Sequence, residues 1–119
     1  MPRSKRRRLS RSAEFDRVYR EGRSHSGRYL VLYSFPREAD EEPPRLGLSV
    51  GRKVGGAVER NRVKRLVREA FWASEDRLPA GHDFVVVARA DAAQLAEREG
   101  LEGIRNELVE LLDKAAAKP

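Results

Sequence analysis

RLGLSVGRKVGGAVERNRVKRLVREAFW, residues 45–72, reads as a short strand, a glycine-rich turn and a helix. Leu46, Leu48 and Val50 alternate with Gly47 and Ser49, so one strand face is apolar and the other small enough for close approach. From Glu59 to Trp72, five of fourteen residues are Arg or Lys, against two acids, Glu59 and Glu69. Stepping about 100° per residue from Arg60 gathers Val63, Leu66, Val67, Ala70 and Phe71 on one arc. Asn61, Arg62, Lys64, Arg65 and Arg68 fill the other, with Arg60 at the boundary and Trp72 on the exposed side. One side is built to sit on a sheet. The other is a cationic ridge in which Arg outnumbers Lys, which suits bidentate phosphate contacts and base stacking. Arg stems can cover apolar surface while their heads stay in water. Self-repulsion among so many cations costs stability, so a polyanion partner accounts for them better.

The flanks extend this into a fold. HDFVVVARA, residues 82–90, is an apolar run with the look of a central strand covered on both faces. Strand 45–50, helix 57–77 and strand 83–89 then make a βαβ unit with parallel strands, the helix ended by Pro79 and Gly81. Upstream, AEFDRVYRE predicts a short helix capped by Ser12 and closed by Gly22, with Phe15, Val18 and Tyr19 on one face. RYLVLYSF (28–35) predicts a strand with Tyr29, Val31, Tyr33 and Phe35 on one side and Leu30 and Leu32 on the other. PREADEEPP reads as a solvated acidic loop. After a turn over 91–96, a last helix carries Leu101, Ile104, Leu108, Leu111 and Leu112 as its apolar stripe, with Glu102, Glu107 and Glu110 outside. The class is α+β or α/β, helices on a sheet.

At 119 residues the chain is expected to be one domain over 9–114, with a basic flexible arm at 1–8 and a flexible tail at 115–119. The absence of cysteine excludes disulfides and thiolate metal sites. No apolar run is long enough to span a bilayer, and the basic N-terminus lacks the apolar stretch of a signal peptide, so a cytoplasmic location is expected. The net charge of +6 is segregated: residues 1–37 and 45–72 are basic, 38–44 and 73–119 acidic. That asymmetry points to a nucleic acid.

Catalytic patterns are missing. There is no G-x-S-x-G elbow and no metal-ligand spacing, and His25 and His82 read as surface residues. Gly51, Gly55 and Gly56, with Arg52 and Lys53 between them, lead into a helix start whose N–H groups could hold a phosphate. No Gly-Lys-Ser/Thr follows, so this is no nucleotide-binding P-loop.

LGLSVGRKVGGAVERNRVKRLVREAF closely resembles the signature of the bacterial ribonuclease P protein component. The likeness rests on Arg60-Asn61-Arg62, Lys64-Arg65 and Arg68 on one helix after a G-x-S-V strand, and extends to RLSRSAEFDRVYREGR, YLVLYSF and DFVVVARADA. It implies an α+β fold with a four-stranded sheet and a left-handed βαβ crossover through the Arg-rich helix (ribosomal protein S5 domain 2-like). Chain physics alone would favour a right-handed crossover. A short strand near Arg23 to Ser26 would complete the sheet. By the same resemblance, the protein is a monomeric subunit of a ribonucleoprotein endonuclease, one per catalytic RNA, that removes the 5′ leader of precursor tRNA. Hydrolysis is expected in the RNA, with Mg2+ held mainly by RNA phosphates and no metal or catalytic residue on the protein.

Carried over residue by residue, the catalytic-RNA surface is Arg52, Lys53, Arg60, Asn61, Arg62, Lys64, Arg65 and Arg68. The leader cleft is Phe15, Tyr19, Val31 and Tyr33, with Ser49 and Lys53 nearby. Aromatic faces without a base-edge code suit single strands of variable sequence. Gly51 departs from the serine common in such proteins, which should loosen the loop before Arg52. Competing readings are an RNA-binding module indifferent to leaders, a protein-only nuclease, and a helix-turn-helix DNA binder. The last two lack acid–base residues and the required turn.

Overall fold

In a computed structural model of the protein, the residues described are 7–9, 12–37 and 42–117. The chain runs β1 (Arg7–Arg8), α1 (Ser12–Glu21), β2 (Arg23–Ser26), β3 (Leu30–Pro36), β4 (Arg45–Ser49), α2 (Ala57–Ala73), a 3-10 turn (Glu75–Arg77), β5 (His82–Ala88) and α3 (Ala92–Ala117). The sheet order is β1-β4-β5-β3-β2. β4 and β5 are parallel, as a crossover through α2 requires, and β3 is antiparallel to both β5 and β2. Four strands form the expected α+β sheet; the two-residue β1 adds a parallel edge beside Arg45 and Leu46. No described helix is long and apolar enough to cross a membrane.

Strand alternation sorts the core into two layers. Leu30, Leu32, Leu46, Phe84 and Val86 face α2 and α3 and pack with Val63, Leu66, Val67, Ala70, Phe71, Ile104 and Leu108. The apolar arc of the α2 wheel is met residue for residue. On the other face Val85 packs with Val18 of α1 and Leu9, and Phe15, Tyr33, Phe35 and Val87 surround them. The small face of β4 has a clear use. A Cβ on Gly47 would sit 2.7 Å from Phe15 Cζ, so this glycine is what admits the Phe15 ring.

Several expectations are corrected. Arg7 and Arg8, assigned to a flexible arm, pair with β4, because Leu9 is buried and its N–H reaches the Leu46 carbonyl at 2.9 Å. Residues 1–6, part of the acidic loop (38–41) and the Ser12 side chain lie outside what is described. The central helix stops at Ala73, where the Ser74 hydroxyl hydrogen-bonds the Ala70 carbonyl, and 75–77 tighten into the 3-10 turn. Residues 92–96 are helical rather than a turn, and α3 continues to Ala117, into the expected tail. Gly100, at φ 62° and ψ −146°, breaks the helix in a conformation that only glycine adopts readily. Leu101, next to this break, is 40% exposed instead of joining the stripe. Tyr29 packs with the α2/α3 layer, not with Tyr33, since it precedes β3 in the turn. Glu107 turns inward: its Oε2 accepts the Tyr29 and Leu30 N–H groups at 2.8 and 3.1 Å, in space left by the missing Cβ of Gly27.

Candidate nucleic-acid interface

Two surfaces carry the residues singled out from the sequence. The first is the outward side of α2 and the loop before it. Arg52, Lys53, Asn61, Arg65 and Arg68 are exposed, and Arg60, Arg62 and Lys64 are half-buried. Both acids of the stretch are already used. Glu69 pairs with Arg65 at 3.8 Å, and Glu59 accepts the Gly56 N–H at 2.9 Å. Glu59 thus lays its own carboxylate at the start of α2. That negative charge counts against the phosphate seat expected at this helix end and leaves the cations as the groups suited to an anion. Among the described residues, Arg65 is the ridge cation with an ion pair. Gly51 is not sterically demanded, since a Cβ there would meet nothing within 4 Å, and the Val54 N–H to Gly51 carbonyl bond at 3.1 Å closes the loop.

The second surface lies on the opposite side of the sheet, where α1 covers only part of the strands. Register puts Val31, Val87 and Ser49 in one row and Tyr33, Val85 and Gly47 in the next. The first row is only half-buried and forms a floor. The wall is a chain of aromatic rings: Phe15 meets Tyr19 at 6.2 Å and Tyr19 meets Tyr33 at 4.9 Å, both edge to face. Burial raises the Tyr19 pKa above the usual phenol value, and a hydrogen bond with Ser49 offsets only part of this. The phenol therefore stays protonated, tying α1 to the end of β4. The structure brings Phe15, Tyr19, Val31, Tyr33 and Ser49 together. Phe15 doubles as a packing residue against Gly47 and the Leu9 cluster.

Among the described residues, no group of three or more His, Cys, Asp or Glu is placed to hold a metal. His82 is engaged locally, its Nδ1–H donating to the Ala80 carbonyl at 3.1 Å. The Ribonuclease P family model matches residues 3–116. The chain belongs to the ribonuclease P protein family. A "Ribonuclease P protein component" of Shouchella clausii is 42% identical over 111 residues, covering 93% of this chain and 87% of that one. One from Clostridium acetobutylicum is 48% identical over 82 residues, 69% of each. Among solved structures, the ribonuclease P proteins of Staphylococcus aureus and Thermotoga maritima superpose with TM-scores of 0.79 each, at 36% and 35% identity. They cover 91% and 92% of this chain, and 94% and 97% of their own. As a ribonuclease P protein component, the chain belongs to tRNA processing.

Sequence reasoning missed two parts of this ribonuclease P protein. A groove of about 870 Å3 runs from Ser49 and Val87 between Arg52 and Lys53 on one bank and Arg28 and Arg89 on the other. Arg28 and Arg89 are 61 residues apart and meet only because β3 pairs with β5; Arg89 N–H reaches the Tyr29 carbonyl at 2.8 Å. The other is Asp83, fully buried at the opposite end of the cleft face. Its oxygens take the Arg45 Nε and Nη2 at 2.8 Å each and are bonded by Arg37, while Arg17 of α1 lies at 3.5 Å. Burial alone would push its carboxyl up, but the bonds from Arg45 and Arg37 outweigh it and hold the pKa below the ordinary value. A lone acid entering an otherwise apolar strand was the available signal. Finally, Trp72, expected on the exposed side, is half-buried, packed against the edge of the core with its ring edge to face with Phe71.

Proposed function

We propose that this chain binds the catalytic RNA of ribonuclease P through α2 and its preceding loop, and the 5′ leader of precursor tRNA in the cleft beside α1. The observation that carries this reading is the division of labour across the sheet. A mostly unneutralised Arg/Lys ridge occupies one side, and an aromatic-walled, half-buried floor opening onto a basic groove occupies the other. A ridge of guanidinium groups suits a folded, densely charged RNA. A narrow cleft with ring faces suits a single strand whose bases can unstack. Arg52 and Lys53 border both surfaces; with Arg28 and Arg89 they would carry the leader's phosphates out of the cleft.

In this reading the chain positions and neutralises rather than reacts. Mg2+ held by RNA phosphates would activate water and stabilise the leaving oxygen. Tyr19, Tyr33 and Ser49 would hold the leader, and the α2 ridge would reduce repulsion between the two RNAs. The decisive experiment adds the folded protein to a cognate ribonuclease P RNA and precursor tRNA at low Mg2+. Leader removal should be restored, with no cleavage by the protein alone. Folded protein that leaves the RNA inactive, or that cleaves without it, would overturn the reading.

Tyr33→Ala should lower the preference for precursor over mature tRNA by about 1–3 kcal/mol if the ring stacks a leader base. Tyr33→Phe should retain most of it. An equal loss for both tRNAs, measured by filter binding with the holoenzyme, would instead mean that Tyr33 acts only through folding.

A further inference from the structure

On the outer side of α2, Arg68, Glu69, Trp72 and Ala73 enclose a shallow recess of about 340 Å3. Asn61, Arg65, Arg68 and Trp72 follow one another at spacings of four, three and four residues, so they form one stripe along the helix and the recess ends it. The indole is held firmly. It meets Phe71 edge to face at 4.8 Å, and Phe71 is fully buried and meets Phe84 at 5.4 Å. A flat ring backed by the core pays little ordering entropy when something stacks on it. The guanidinium of Arg68 stands on the recess edge, able to stack on a base or bond its phosphate. The nearby acid, Glu69, is turned toward Arg65.

We infer that this recess takes an unstacked nucleobase of the same catalytic RNA, seated against Trp72 with its phosphate on Arg68. The inference rests on the proposed docking of that RNA along α2 and adds to it a base contact that a purely ionic ridge lacks. Charge selects the occupant. A second copy of this chain would bring one Arg stripe against another, whereas an RNA strand offers both a π face and an anion.

Trp72 is the single tryptophan of the chain, so its emission reports on this recess alone. Titrating the full-length protein with ribonuclease P RNA should quench that emission and protect it from acrylamide. Trp72→Leu keeps an apolar side chain over Phe71 but cannot stack. It should weaken RNA binding about fivefold or more, the low end of a base–aromatic stack, while Trp72→Phe stays closer to the parent. Emission and acrylamide access unchanged in a complex that still supports leader cleavage would overturn this inference and leave the docking surface standing. Equal affinity of Trp72→Leu and parent would do the same. A change in emission on raising protein concentration without RNA would assign the recess to a second copy. If the parent protein binds no ribonuclease P RNA, the proposed function itself falls.

Discussion

Asp83→Ala is expected to destabilise the fold by about 3–5 kcal/mol, the cost of leaving buried guanidinium groups without their carboxylate. Arg37 and Arg45, with side chains 9% and 18% exposed, would lose their shared acceptor, and Arg17 a weaker one. Because domains of this kind hold only about 5–15 kcal/mol in total, the loss should be plain in urea or thermal unfolding. The same residue sets an acid limb. Its folded pKa lies below its unfolded one, so its stabilising contribution is present at neutral pH and lost as pH falls below about 4. Asp83→Asn should flatten that limb; an unchanged acid profile would mean that the Arg bonds contribute nothing net. Arg45 also bonds Glu14 at 3.1 Å, so α1 hangs on the same carboxylate through two arginines. Partial variants should therefore loosen the cleft and lose leader preference before they unfold.

Arg62→Ala with Arg65→Ala should weaken binding to the catalytic RNA about a hundredfold at 0.1 M salt. Each phosphate contact removed takes about one unit from the slope of log affinity against log salt, and two units amount to about that factor. The Arg65–Glu69 pair is exposed on both sides and contributes little to the fold, so the double variant should unfold like the parent. Binding across a salt series checks both halves. A parallel line, displaced but no shallower, would place the RNA elsewhere.

The two-sided helix α2 was legible because its pattern is local: three and a half turns of alternating apolar and cationic residues need nothing from the rest of the chain. The strands were legible for the same reason, their ends shifting by a residue or two. What escaped was nonlocal. Glu107 reads as one more surface acid of α3, and only its arrival at the Tyr29–Leu30 backbone, 77 residues away, makes it a cap for a turn. Asp83 reads as the entry to an apolar strand until Arg45 stands across from it in register. Gly100 looked like one glycine in a helical stretch; its positive φ breaks the helix there. In the candidate site, the aromatic wall could be guessed from the face periodicity of β3 and α1. The groove joining Arg28 to Arg89 could not, since it depends on which strands are neighbours.

The packing of α3 beside α2 has a consequence for how the molecule meets its partner. Glu97, Glu99, Glu102, Glu110 and Asp113 are exposed along α3, while α2 next to it carries the cations. Two adjacent rods of opposite sign give the protein a permanent electric dipole across its helical layer. In the field of a large RNA such a body would be turned as it diffuses, α2 leading and α3 trailing, which would bias collisions toward that orientation. Added salt would then slow association by blurring this orientation as well as by weakening the final contacts.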